Sequence, residues 1–260
     1  MPVKKWRPNP GKLQRHDGPK SNREDNVKTT TTVLTEDQLE ALRKLNACLL
    51  ANAIETFHKR LRNEGFVIGG VHCLFPSLPP MVGYAATIRI RGSAPPTADG
   101  IYPDRTDWWD YILSLPAPRV VVVQDCATRP GLGSLLGGVH VNILRALGCD
   151  GAVTNGSVRD IPEAEALGFP LFAGHVSVSH AYVHIIEIGG TVEIGGLKIQ
   201  SGDLLHGDVH GVQSIPLEIA AQVPAVAAKI EAVEETLISV CRSSGFSLDK
   251  LRAAVAKAKY

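Results

Sequence analysis

The sequence predicts an α/β fold: a single-domain α/β/β sandwich with a mixed sheet, a C-terminal β-meander and helices at both ends. Three observations predict it. Between residues 84 and 173, apolar runs suited to buried strands alternate with helical periodicities. Between 183 and 214, Gly-Gly and Gly-Asp turns punctuate a string of short strands. Strongly periodic apolar stretches then stand at either end. At 260 residues, 44% hydrophobic and 20% charged, the chain can bury a normal globular core.

Taken in order, residues 1–33 form an arm rich in Pro, Gly and Asn. Positions 1–28 hold eight Lys/Arg against three Asp/Glu, so this stretch is +5 and the remainder −4. That composition predicts a flexible, loosely draped terminus. Nucleic-acid binding would call for a basic face with stacking aromatics, and the arm offers only Trp6. Nucleic acid is therefore not expected as a partner, and wrapping around a second subunit stands at least level with it.

Thr35-Glu-Asp-Gln38 has the form of a capping box. It opens a helix predicted over 36–63, with Leu39, Leu42, Leu45, Leu49, Ala53 and Phe57 on one face and Gly65 closing it. Pro76, Pro79 and Pro80 mark a loop, 84–91 a strand, 93–107 a polar loop and 108–113 a short amphipathic helix. Val120 to Val123 lie in a strand of the kind buried on both faces, 119–124. There follow a helix over 133–147, a strand at 152–154, a helix at 163–167 and a strand at 170–173. Short strands at 183–187, 191–194, 197–199, 204–205 and 212–214 make the meander, with hairpins at Gly189-Gly190 and Gly195-Gly196. A helix spans 216–241, and Ser247 caps a last one to 259. The domain limits are thus an arm at 1–33, an α/β domain at 34–242 and a C-terminal helix at 243–260.

No apolar run reaches the roughly 18 residues that span a bilayer, and the N-terminus has no signal-peptide core. A cytoplasmic protein with no membrane partner is the expectation. Five scattered cysteines without a C-x-x-C pair argue against a disulfide framework or a zinc site and read as buried small hydrophobes. Cys126, just past a strand, is the one thiol placed as a nucleophile would be.

The most informative stretch is Gly148-Cys-Asp-Gly151-Ala-Val-Thr-Asn155-Gly156-Ser-Val-Arg159-Asp160. It reads as a helix stop, a short buried strand and a glycine-bearing turn that delivers an arginine beside an aspartate. A guanidinium forks onto a carboxylate or enolate oxygen, and a carboxylate holds a hard cation such as Mg²⁺. The bland reading of such a pair is a surface ion pair in a turn. Asp125 ends the neighbouring strand at the sheet edge where open α/β sheets bind ligands. Gly131, Gly133, Gly137 and Gly138 lie before or at a helix start, whose free amides attract anions. No Gly-Lys-Ser/Thr follows, so a nucleotide phosphate loop is not supported.

These features resemble the RraA-like family, which contains the bacterial ribonuclease E activity regulator and the class II 4-hydroxy-4-methyl-2-oxoglutarate / 4-carboxy-4-hydroxy-2-oxoadipate aldolases. The resemblance is carried by Asp125, Gly137, the Gly148–Gly151–Val153–Gly156–Arg159-Asp160 spacing, Ala166-Leu-Gly168-Phe-Pro170, Gly195-Gly196, Gly202-Asp203 and Gly211-Val212, and runs from Leu39 to Arg242. It implies a trimer or a pair of stacked trimers (a hexamer) with active sites between subunits. It also implies a lyase using Mg²⁺ or Mn²⁺ on a small 2-oxo carboxylic acid, by retro-aldol cleavage or oxaloacetate-type decarboxylation through pyruvate enolate. On that resemblance Arg159 binds the acid and its enolate, and Asp160 holds the metal. Gly137, Gly138, Val139 and His140 receive the substrate carboxylate on backbone amides, and Glu234, with Glu235 as the alternative, comes from a neighbouring subunit. One departure stands out: the acidic residue expected twenty-one positions before the arginine is Gly138. That leaves enolate stabilisation intact and proton transfer altered, with Asp125 or His140 as substitutes. It also keeps open the alternative of a non-catalytic regulator of the RraA type.

Nine histidines complete the inventory. His180, Tyr182 and His184 alternate by two, as residues on one strand face do, and His206, Asp208 and His210 repeat the spacing. Polar residues at a surface are the bland reading. Together with Asp125, His180 and His184 are candidates for setting substrate choice. Arg105, Asp107, Trp108 and Trp109 are candidates for a substrate-facing loop, with core packing the alternative for the tryptophans.

Overall fold

The computed structural model describes residues 33–258, so all but the last residue of the basic arm lies outside the described residues. Thr35 opens α1 (Glu36–Arg43) through the expected capping box, made in both directions with Gln38. The long helix expected through residue 63 ends there. Asn46 takes an extended backbone, and its Oδ1 accepts from Leu49 N at 2.9 Å, starting α2 (Ala47–Glu55). A side chain that satisfies the free amides of a new helix start competes with continuation of the old one. The apolar positions keep their duty, because Leu42, Leu49 and Ala53 share one core cluster.

The elements that follow are β1 (His72–Cys73), β2 (Met81–Arg91), α3 (Arg105–Ser114), β3 (Arg119–Asp125), β4 (Ser134–Leu136), α4 (Gly138–Ala146), β5 (Cys149–Val158), α5 (Ile161–Ala166) and β6 (Leu171–Val176). Then come β7 (His184–Ile188), β8 (Val192–Ile194), β9 (Leu197–Ile199), β10 (Leu204–Asp208), β11 (Gly211–Ile215), α6 (Leu217–Ala220), α7 (Val223–Arg242) and α8 (Leu248–Lys257). The helix expected over 133–147 is a short strand followed by a helix: Leu135 and Leu136 are buried in β4, and extended Gly137 separates them from α4. The expected 216–241 helix is likewise two, since Pro224 fits only a first turn and so fixes where α7 begins.

One nine-stranded mixed sheet runs in the order β1-β6-β5-β3-β2-β10-β11, with β4 also on β5 and β7 also on β2. Its centre, β2, β3, β5 and β6, is parallel. The Val120–Val123 run of β3 is buried on both faces, as its composition required. One face carries Ile88, Val121, Val123 and Ala152 against Trp108, Val141 and Ala164 of α3, α4 and α5. The other carries Val120, Val122 and Val153 against a separate hairpin, β8–β9. Helix, sheet and hairpin thus form three layers. Tyr84 and Leu204 meet α1, α2 and α7 in a further cluster.

The late strands do not pair as a continuous meander. β7 returns antiparallel to β2, β10 pairs the other end of β2, and among the described residues only β8–β9 and β10–β11 are hairpins. Gly195 and Gly196 both have positive φ, 51° and 84°, as a tight two-residue hairpin demands. Gly189-Gly190 instead lets the chain leave β2, whose long buried edge is the stronger partner for apolar Ile185 and Ile188. Among the described residues no helix is long and apolar enough to cross a membrane.

Candidate active site

The parallel strands place Asp125 and the Arg159-Asp160 pair at their carboxyl ends, beside the start of α4. Gly148 has the expected left-handed φ of 74° after the preceding helix. The strand after it runs on to Val158, so Asn155-Gly156 is not a turn. It is an irregularity in β5, where register with β6 shifts between Thr154 and Ser157. There the Asn155 side chain replaces the backbone ladder: Oδ1 accepts from Asp125 N at 2.7 Å, and Nδ2 donates to Asp125 O at 3.0 Å. Gly156 eases this close approach, since a Cβ would sit 3.1 Å from Asp125 Cβ, tighter than an ordinary contact.

Asp125 is 2% exposed, and both its carboxylate oxygens are engaged. They accept from Ala127 N at 3.0 Å and Gly131 N at 2.9 Å, fixing the loop before β4. That geometry makes Asp125 a loop organiser rather than a group free for proton transfer.

Asp160 sits in the left-handed region, φ 54° and ψ 44°. Few residues other than glycine accept this, and such strain concentrates at functional sites. The twist turns its carboxylate back onto α4, where Oδ2 accepts from Gly138 N at 2.8 Å. Asp160 therefore caps a helix whose N-cap, Gly137, has no side chain to do so. Arg159 Nε lies 3.6 Å from the same oxygen, an ion-pair contact too long for a hydrogen bond, and is buried without a hydrogen-bond partner among the described residues. A Cβ on Gly137 would stand 2.8 Å from Asp160 Oδ2 and 2.9 Å from Arg159 Nε. The glycine is what lets both side chains cross the helix start.

Gly138 carries the finding that sequence reasoning missed. A Cβ there would fall 2.0 Å from Oε2 of Glu163, on the first turn of α5. The carboxylate absent from position 138 is thus replaced in space by one reaching across from the next helix. Asn142 Nδ2 orients it, donating to Glu163 Oε1 at 2.9 Å and to Gly138 O at 2.9 Å. The available signal was Glu163 itself, three positions after Asp160 on one helical turn. Among the described residues, no side chain or carbonyl engages the amides of Val139 and His140, which helix geometry leaves without intrahelical partners.

His140 is 5% exposed, its ring 6.1 Å from that of Trp108. Burial, then the nearby charges of Arg105, His180 and Arg159, push its pKa down to about 4, so it is neutral near pH 7. The expected alternation of His180, Tyr182 and His184 on one strand face does not form. Ala181, at φ 46°, breaks the run, and β7 begins only at His184. His180 Nδ1 is 2.8 Å from Ser134 O, against β4, while His184 packs edge-on to Tyr102 at 4.8 Å. His206 and His210 also separate: the first is buried with Nε2 on Leu45 O, the second exposed in a turn beside Asp208. Asp107 belongs to the cap of α3, its carboxylate accepting from Asp104 N. The cysteines are not uniformly buried, since only Cys149 is; Cys48 and Cys241 are exposed. Burial raises the Cys126 thiol, which argues against a thiolate nucleophile.

Glu234 lies on α7, where Asn52 Nδ2 donates to Oε1 at 3.5 Å. It lines a cavity of about 690 Å³ with Asn52, Glu55, His58, Arg62 and Lys229. That lining includes neither Arg159, Asp160 nor any residue of α4.

Comparison with known families decides the kinship, since the RraA-like family, described as Aldolase/RraA, matches residues 47–213. The chain belongs to the RraA-like family. A relative in Halalkalibacterium halodurans, provisionally named a 4-hydroxy-4-methyl-2-oxoglutarate aldolase, is 34% identical over 101 residues, 38% of this chain and 48% of its own. An uncharacterized protein of Methanocaldococcus jannaschii is 29% identical over 115 residues, 43% of this chain and 55% of its own. The chain thus spans about half the length of these relatives. Among solved structures, an uncharacterized Pseudomonas syringae protein superposes with a TM-score of 0.68 at 24% identity, covering 88% of this chain and 98% of that one. Streptomyces coelicolor RraAS2, described as an unusual member of the RNase ES inhibitor RraA family, gives 0.63 at 21%, covering 77% and 96%. At these identities the two structures speak for the fold.

Proposed function

We propose that this RraA-like chain is a lyase acting on a small 2-oxo carboxylic acid through an enolate, with Mg²⁺ or Mn²⁺ as cofactor. The observation that carries the reading is the convergence of Arg159, Asp160 and Glu163 on the first turn of α4. The residues suit a hard cation, which needs only one or two protein carboxylates and keeps its other positions for water and substrate. Asp160 would hold it, with Glu163 nearby. The cation, when bound, would lower the energy of negative charge developing on the substrate's ketone oxygen.

The chain's own groups supply the rest. The amides of Val139 and His140, at the positive end of a helix, receive the 2-oxo carboxylate. Arg159 directs N–H groups at the ketone oxygen and stabilises it as it becomes an enolate. For a 4-hydroxy-2-oxo acid, Glu163 takes the proton of the 4-hydroxyl, the C3–C4 bond breaks into carbonyl and enolate, and a proton returns to C3 of the enolate. For oxaloacetate the same bond releases CO₂ and only the second proton transfer is needed. Glu163 thus takes the role for which Asp125 and His140 stood as substitutes.

The decisive assay follows pyruvate release from oxaloacetate and from a 4-hydroxy-2-oxo acid with added metal. Asp160→Ala should lose at least ~100-fold in turnover; no turnover, or turnover unchanged in that variant, overturns the reading. A metal-independent regulator remains the competing reading, favoured by the glycine at 138. It predicts tight capture of a protein partner without metal, and pull-down with and without residues 1–28 tests it. Self-association as a trimer or hexamer, with Glu234 supplied by a neighbour, is part of the same proposal and would bring together a pair and a glutamate that line no common cavity in one chain.

A further inference from the structure

An enolate formed at the α4 start needs a proton donor at C3, and the groups already described there are committed elsewhere. Asp125 accepts hydrogen bonds on both carboxylate oxygens. His140 is buried and stays neutral, and Asp160 Oδ2 caps α4. His180 is different. Its Nδ1 lies 2.8 Å from Ser134 O, and a carbonyl only accepts, so Nδ1 carries a proton and donates it. That fixes the tautomer and leaves Nε2 as the atom that takes up and releases a proton. The side chain is exposed, and among the described residues Nε2 has no hydrogen-bond partner. Its place in the fold is close to the pair. Ser134 is in register with Ser157 and Leu136 with Val158, the two residues before Arg159, and Leu136 O accepts from Arg159 N at 2.9 Å. His180 thus docks on β4 roughly 7 Å along the strand from the residue that holds the Arg159 backbone. Its charge and that of Arg159 both act on His140, in the first turn of α4. The backbone here is tightly held: Ser134 N donates to Ser179 O at 2.9 Å, Ala181 takes a φ of 46°, and a Cβ on Gly133 would stand 2.3 Å from His180 O. Strained backbone of this kind gathers where side chains must be aimed.

We propose that His180 is the acid–base residue that protonates C3 of the enolate, a task separate from that of Glu163 at the 4-hydroxyl. The proposal rests on the enolate reading of the Arg159-Asp160 site. The electron pair of the enolate C=C takes the proton from Nε2 of the imidazolium: the N–H bond breaks, the C3–H bond forms, and the enolate oxygen becomes the ketone of the product. The imidazole is left neutral, with Nδ1 still donating to Ser134 O, and water restores its proton. After cleavage of a 4-hydroxy-2-oxo acid, the proton that Glu163 returns to water balances this one; after loss of CO₂, solvent supplies it. In the reverse direction neutral Nε2 takes a methyl proton from pyruvate, so the same residue governs exchange with solvent.

His180→Asn tests it, because the asparagine Nδ2 can stand in for Nδ1 against Ser134 O while nothing replaces Nε2. Three quantities are read on the full chain in Mg²⁺: oxalate affinity by calorimetry, oxaloacetate consumption, and exchange of pyruvate methyl protons in D₂O. The variant should bind oxalate as the wild type does. Its exchange should fall by roughly 100-fold or more, the worth of a general acid–base. Consumption of oxaloacetate should fall much less, since an enol that is not protonated in the site can leave and ketonise in water. Added imidazole should restore part of the exchange, a rescue that a purely structural residue would not give. Exchange equal to that of the wild type overturns the proposal and makes water the donor, while the enolate reading stands. Loss of oxalate binding alongside exchange, with no rescue by imidazole, also overturns it and reduces His180 to a tie between two segments. Absence of both consumption and exchange in the wild type, above the metal-only control, removes the proposal and the enolate reading together.

Discussion

In the proposed mechanism Glu163 bears most of the chemical weight, and two substitutions separate its roles. Glu163→Gln keeps the hydrogen bond from Asn142 and removes the base. Turnover should fall by roughly 100- to 10,000-fold, as loss of a general acid–base does, while oxalate affinity holds. A matching loss of oxalate binding would mean that Glu163 only shapes the pocket. Gly138→Asp should push the flexible end of Glu163 aside, since the new Cβ would fall 2.0 Å from it. The double variant Gly138→Asp/Glu163→Gln should then recover activity over Glu163→Gln alone. His140 belongs to this scale too. Its pKa in the folded protein, about 4, lies below the ordinary histidine value of 6.5. Between those values the unfolded chain binds more protons, so stability is full above about pH 6.5 and falls as pH drops towards 4. Buried His206 is shifted the same way. Thermal unfolding across that range should show the loss, on the order of 2 kcal/mol, and a flatter profile in His140→Phe.

At the scale of elements, the site depends on two places where the backbone departs from regularity. One is the β5 irregularity, which Asn155 bridges to Asp125. Asn155→Ala should cost about 1–3 kcal/mol for the two lost bonds and loosen the loop fixed by Asp125, measured by denaturant unfolding and by proteolysis within 126–131. The other is Gly137, where alanine should leave folding near wild type yet displace Arg159 and Asp160. These departures mark the boundary of what was legible beforehand. Hydrophobic periodicity announced the β3 run, the apolar helices and the glycine after α4, because burial writes a regular pattern. The break at Asn46, the strand hidden before α4 and the continuation of β5 through Asn155-Gly156 were not announced. In each, one side chain or one neighbouring strand outweighed the local signal. Arg159-Asp160 was legible as a motif. Glu163 was not weighed, since nothing in the spacing alone says that its carboxylate fills the space before Gly138.

The whole molecule presents apolar side chains near this crevice that a single chain leaves in water. Leu132, Val139, Val176 and Val178 are all more than half exposed, Val178 at 95%. Leu132 and the segment after β6 are tied together through Ser177 Oγ and Leu132 O. An assembly that covers them would complete the site from two chains, as the trimer proposal requires. Val178→Asp should shift the species in sedimentation velocity towards monomer and reduce turnover together; full turnover by a monomer would contradict a shared site. Residues 1–32 of the basic arm lie outside the described residues and enter none of these arguments.

The most direct trial asks whether the site makes an enolate at all. Pyruvate incubated with the protein and Mg²⁺ in D₂O should exchange its methyl protons, followed by the decay of the ¹H methyl signal. Exchange is predicted for the wild type and should drop at least ~100-fold in Asp160→Ala and Arg159→Ala, each of which removes stabilisation of the developing charge. No exchange above the metal-only control, or equal exchange in all three proteins, would contradict the account.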